Sequence, residues 1–83
     1  MFLTVNKRNM YNLDKIKSMY YEKISNYCYH ISLDFDNTFT IIASYKTYSD
    51  MKTNYNRIIE AISNGKSIIN INDDSNYNNE CEE

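Results

Sequence analysis

Residues 27–35 read YCYHISLDF, and residues 39–46 read FTIIASYK. Tyr27, Tyr29, Ile31, Leu33 and Phe35 occupy every second position of the first stretch, and Phe39, Ile41, Ala43 and Tyr45 those of the second. A period of two marks a strand with one buried face, because successive side chains point to opposite sides. Asp36, Asn37 and Thr38 lie between the two runs and have turn chemistry. The pair predicts a β-hairpin, and a chain this short must build the rest of its fold around it. Cross-strand partners share a face, so the pattern also predicts a register. A three-residue loop pairs Phe35 with Phe39, Leu33 with Ile41, Ile31 with Ala43 and Tyr29 with Tyr45. A two-residue loop would set Leu33 against Thr40 and mix the faces.

The flanking segments add strands and one helix. Residues 2–6 (FLTVN) form a β-prone run, residues 6–9 (NKRN) a polar turn, and residues 10–13 (MYNL) a returning strand, which predicts a first hairpin. Residues 13–24 (LDKIKSMYYEKI) suit either a helix, with Leu13, Ile16, Tyr20 and Ile24 near helical spacing and Asn12 as a cap, or a strand with Met19 and Tyr21 on the other face. The β-rich neighbours on both sides favour the strand. After the second hairpin, Met51, Tyr55, Ile58, Ile59 and Ile62 describe one stripe of a helix, with Lys52, Asn56, Glu60 and Ser63 on its wet side. Thr47 or Ser49 can cap it, and Asp50 suits the positive end of its dipole. Asn64–Gly65 stops it, since Gly65, the only glycine in the chain, tolerates a left-handed conformation. Residues 67–71 (SIINI) are a last apolar run, a short strand or an arm across the sheet. The expected fold is α+β: an antiparallel β-meander of about four strands, one C-terminal amphipathic helix whose stripe covers the Tyr29, Ile31, Leu33 and Phe35 face, and an acidic tail. The expected domain spans 1–71, with 72–83 a flexible tail by its polar composition.

A chain of 83 residues has room for one domain with a thin core. The net charge is −2, but five acidic residues and no basic one lie from Asp73 onward: Asp73, Asp74, Glu80, Glu82 and Glu83. The preceding residues carry nine basic and six acidic groups, a mildly basic body. Two cysteines, Cys28 and Cys81, form neither a disulfide framework nor a zinc motif. They are expected as free thiols in a reducing cytosol, the rival being a disulfide through Cys81 across a dimer. No apolar run is long enough to span a membrane, and MFLTVNKRN lacks the apolar core of a signal peptide. The expected location is therefore cytoplasmic. The absence of proline and tryptophan, beside nine tyrosines and many asparagines, fits an AT-rich coding sequence.

Several groups carry candidate chemistry. Cys28, His30, Ser32 and Asp34 alternate along one strand. A Cys–His nucleophile needs a lowered thiol pKa, oxyanion donors and a cleft, and no glycine-rich loop lies near to supply them. The bland reading is the wet face of an amphipathic strand. His30 lacks metal-ligand spacing with its neighbours, and Asp34 to Asn37 lacks the glycine and distal glutamate of a calcium loop. No phosphate-binding loop, dinucleotide fingerprint or nucleophile elbow is present. The expectation is a non-enzyme without cofactor or metal. The acidic residues Asp73, Asp74, Glu80, Glu82 and Glu83 form a candidate partner-binding segment that mimics nucleic-acid phosphate. Lys7, Arg8, Lys15, Lys17 and Lys23, interleaved with Tyr11, Tyr20 and Tyr21, form the alternative, a nucleic-acid-binding cluster. Asp14 and Glu22 dilute that cluster. A mixed-charge protein-binding surface is an equal reading of the same residues, since tyrosine serves interfaces well.

The passage YNLDKIKSMYYEKI, the central hairpin and NRIIEAISNGKSIINI together resemble small proteins of AT-rich bacteria and their phages. The plan is similar to phage anti-CRISPR inhibitors: very short, single-domain, motif-free, with an acidic segment. Those from AT-rich hosts include inhibitors of the RNA-guided RNA nuclease of type VI systems. The resemblance implies a non-enzymatic inhibitor that occludes a basic surface of a larger partner such as a CRISPR effector nuclease. A second resemblance is to sheet-based DNA-binding domains of the LytTR type, which carry basic loops. Here the basic groups are few and the tail is acidic. A small transcriptional regulator and a self-associating structural protein, for instance a homodimer joined through sheet edges, are the alternatives.

Overall fold

The computed structural model describes residues 1–74. Six strands and one helix follow in the order β1 (Phe2–Val5), β2 (Asn9–Asn12), β3 (Ser18–Ser25), β4 (Cys28–Asp34), β5 (Phe39–Tyr45), α1 (Tyr48–Ser63) and β6 (Ile68–Ile71). The fold is α+β as expected, but the strands form two three-stranded sheets rather than one meander. One sheet has the order β2-β1-β6 and the other β3-β4-β5. β3, β4 and β5 are the antiparallel meander that the alternation predicts. The run at 67–71 becomes β6, and it pairs parallel with β1, Leu3 opposite Ile69 and Val5 opposite Ile71.

Local chemistry explains the first hairpin and the segment after it. Asn6 and Lys7 both adopt positive φ, 56° and 57°. This left-handed pair closes the turn between β1 and β2, and asparagine is among the residues that tolerate such a conformation. Residues 13–24 are not strand throughout. Leu13–Lys15 is a single 3₁₀ turn. The Asn12 side chain caps it by accepting from the Asp14 amide at 3.0 Å. Leu13 is buried there, and the strand begins only at Ser18.

The register of the central hairpin is half as predicted. Tyr29 faces Tyr45 and Ile31 faces Ala43, but Ser32 then faces Ile41 and Leu33 faces Thr40. The register shift leaves Ile42 as an extra residue, a β-bulge. The bulge turns Ile42 into the core beside Ala43 and Tyr45. Phe39 and Ile41, predicted to be buried, are swung to the other face, 58% and 47% exposed.

The helix is capped by the Thr47 hydroxyl, which accepts from the Asp50 amide at 3.1 Å, and it ends before Gly65 at φ 69°. Its buried residues are Met51, Ile58 and Ala61, with Tyr55 packed at the margin. Ile59 and Ile62, predicted for the stripe, stand out in solvent. The helix packs on β4, β5 and β6 together. Under the helix lie Leu3, Val5, Ile31, Leu33, Ile69 and Ile71.

A polar seam joins the two sheets where β6 ends. The Asp73 side chain accepts from Asn6 Nδ2 at 2.5 Å and from the Ser44 amide at 2.7 Å. Its own amide donates to Asn6 Oδ1 at 2.9 Å. Asp74 donates its amide to the Ser44 carbonyl at 2.8 Å and accepts from the Lys46 amide at 2.9 Å. Tyr45 donates its hydroxyl to the Asn72 carbonyl at 2.7 Å. Burial, with Asp73 and Asp74 near, pushes the Tyr45 phenol above its ordinary pKa. The chain is thus tied into the fold through Asp74, three residues beyond the expected boundary at 71.

Candidate protein-binding surface

β3 is an outer strand of its sheet, paired only with β4. Its other edge, between Ser18 and Ser25, pairs with no strand of the described residues and so offers backbone donors and acceptors. Alternation places Met19, Tyr21 and Lys23 on the helix side and Tyr20, Glu22 and Ile24 on the outer side. Six of the eight residues are exposed, Tyr20 and Tyr21 among them.

On the helix side, tyrosines from three elements converge. The Tyr21 ring meets Tyr55 at 4.9 Å and Tyr48 at 6.2 Å between centroids, and Tyr48 meets Tyr29 at 5.9 Å, all edge to face. This is the geometry that ring quadrupoles favour. Lys52 sets its ammonium 4.9 Å from the Tyr21 centroid and 5.3 Å from that of Tyr55. Tyr55 donates to the Met19 carbonyl at 3.1 Å and so fixes the helix to β3. The Tyr21 phenol is held below its ordinary pKa, first by the hydrogen bond from Tyr48 and then by the Lys52 charge. Tyr48, the donor, is pushed up. Tyr21 is therefore expected to be among the first phenols to ionise on alkaline titration followed by ultraviolet difference absorbance. Tyr48→Phe or Lys52→Met should move that onset to higher pH, and an onset that neither variant moves would contradict the arrangement.

On the outer side, Tyr20, Ser32 and Ile41 form one cross-strand row, and Glu22, His30 and Ser44 the next. Ser32 is buried although it lies on the side predicted to be wet, because Tyr20 and Ile41 flank it. Cys28 is also fully buried. His30 Nε2 lies 3.3 Å from Cys28 Sγ. Cys28 is disulfide-bonded, which corrects the expectation of a free thiol and removes a thiolate nucleophile from this strand. Burial lowers the His30 pKa, and Glu22 opposes the shift. The outer side is therefore a shallow apolar face of Tyr20, Ile24, Phe39 and Ile41 with a polar stripe through it.

The predicted site residues are placed differently. Asp73 is 7% exposed, and both its carboxylate oxygens already accept hydrogen bonds within the fold. Asp74 is held against β5. Glu80, Glu82, Glu83 and Cys81 lie outside the described residues. The basic cluster does not converge. Lys7 and Arg8 are at the β1–β2 turn, Lys15 is in the 3₁₀ turn at the far end of β2, Lys17 directly precedes β3, and Lys23 lies within it. Lys17 and Lys23 are roughly 20 Å apart along the strand direction. Among the described residues no group of three or more His, Cys, Asp or Glu side chains could hold a metal ion. No helix of the described residues is long and apolar enough to cross a membrane. Tyr29, Tyr48, Tyr55 and Lys52 escaped the sequence reading as a site. Tyr48, Lys52 and Tyr55 follow i, i+4, i+7 spacing on the helix, and that was the available signal.

No protein-family model, curated protein or solved structure matches this chain.

Proposed function

We propose that this chain is a non-enzymatic binding protein that inhibits a larger nucleic-acid-handling partner, such as a CRISPR effector nuclease, in the cytoplasm of a host cell. The observation that carries the reading is β3: an eight-residue edge strand, unpaired on one side among the described residues, with tyrosines on both faces. A partner strand can add there through backbone hydrogen bonds while its side chains meet the tyrosine–lysine cluster on one side and the apolar face on the other. Tyrosine contributes large, stiff contact area at little entropic cost, which is why it anchors interfaces. Acidic mimicry falls to Glu80, Glu82 and Glu83, since Asp73 and Asp74 are engaged inside the fold. The scattered lysines favour a protein partner over a nucleic-acid strand, which would need a continuous basic track.

The test is affinity capture from host lysate with and without nuclease, followed by binding measurements on variants. A nuclease-resistant protein partner is expected. The double variant Tyr20→Ser, Tyr21→Ser should weaken its binding by about tenfold or more, and the triple variant Glu80→Gln, Glu82→Gln, Glu83→Gln, which keeps Cys81, reports the acidic contribution separately. Capture that disappears after nuclease treatment, or binding that the tyrosine pair does not influence, would remove the reading.

A further inference from the structure

The second sheet has an open edge of its own. β6 is an outer strand, bonded on one side to β1. The Phe2 amide donates to the Ser67 carbonyl and the Asn6 amide to the Ile71 carbonyl, each at 2.9 Å. In a parallel ladder the odd residues of this strand thus face β1, and the backbone groups of Ile68 and Asn70 point the other way. Arg57 Nη2 lies 3.4 Å from the Asn70 carbonyl, so that carbonyl is directed away from β1 and toward the helix side.

Along this edge runs a groove of about 330 Å³, walled by the C-terminal half of α1 on one side and β6 on the other. An edge strand facing a helix across a groove is an arrangement that receives an extended peptide as an added strand. Arg57 stands beside Asn70, and Lys66 lies at the Ile68 end. One cation thus lies toward each end of the groove. Glu60 is the one carboxylate lining the groove, and Asn64 and Asn70 supply amides.

We propose that this groove binds an extended acidic segment of a partner protein, added as a strand to β6. The backbone of Ile68 and Asn70 supplies the ladder, and Arg57 and Lys66 select acidic over basic sequence. The site is independent of β3. It lies on the other sheet, so either edge can be tested without the other.

The test uses the full chain, isotope-labelled, titrated with a blocked hexapeptide of alternating valine and glutamate. A matched peptide with lysine in place of glutamate is the control. Amide shifts centred on Ile68 and Asn70 are expected with the acidic peptide, and binding about tenfold weaker with the lysine peptide. The exposed double variant Arg57→Gln, Lys66→Gln should retain the wild-type spectrum elsewhere and lose about tenfold in affinity. Equal binding of the two peptides, no shift at Ile68 and Asn70 at millimolar peptide, or shifts centred on Tyr20 and Tyr21 of β3 would each overturn the proposal.

Discussion

Asp73→Ala should lower the stability of the chain by about 3 kcal/mol and its melting temperature by more than about 10 °C. The carboxylate accepts two hydrogen bonds, from Asn6 Nδ2 and from the Ser44 amide. Bonds to a charged acceptor are each worth about 1.5–3 kcal/mol. Removing the acceptor also leaves polar groups at the seam without a partner, which carries its own desolvation cost. The Asn6 side chain still receives the residue-73 amide, so part of the seam survives. Asp73→Asn should cost less than alanine, because one amide oxygen can still take the Ser44 donor while its nitrogen opposes that of Asn6. Thermal unfolding of the three proteins checks this order. An alanine variant as stable as the parent would mean that the two sheets do not depend on the seam.

Adjacent isoleucines on the helix give the second large contrast. Ile58 is fully buried and Ile59 is 43% exposed. Ile58→Ala removes side-chain volume from beneath α1 and should cost about 3–4 kcal/mol, the transfer of the lost carbons plus the cavity they leave. Ile59→Ala should stay within about 0.5 kcal/mol, since alanine's better helix propensity offsets the little burial lost. Denaturant midpoints at constant slope would measure both. Equal losses at the two positions would place the helix in the orientation that the sequence stripe suggested.

Much of this fold was readable because local chemistry and periodicity agreed. Thr47 capped the helix, Gly65 followed its end, and the two alternating runs became β4 and β5. The bulge at Ile42 was not readable, since strict alternation argues against Leu33 opposite Thr40 and only the packed core, which takes Ile42 in place of Ile41, favours that register. The helix orientation failed for a related reason: Ile59 and Ile62 look as apolar as Ile58, and the docking against β6 decides which of them turn inward. Asp73 had the same composition as the acids after it. Its role depends on Ser44 and Asn6, 29 and 67 positions away, which no local pattern encodes. The candidate surface was half legible: Tyr20 and Tyr21 stand in one strand, but Tyr29, Tyr48 and Tyr55 join them only through the tertiary fold.

The parallel pairing of β1 with β6 sets an order of events during synthesis. Thr4 and Asn70, joined by a side-chain hydrogen bond, are 66 positions apart. A nascent chain leaving the ribosome can close the β3–β4–β5 meander from short-range contacts. Leu3 and Val5 emerge early, yet the strand that completes their sheet is the last of the described elements. Until then β1 is a hydrophobic strand with one edge unpaired, a target for chaperones and for other nascent chains. The native state therefore waits on the synthesis of Ile68–Ile71, and a transcript cut short before Ile68 yields a product that degradation should clear.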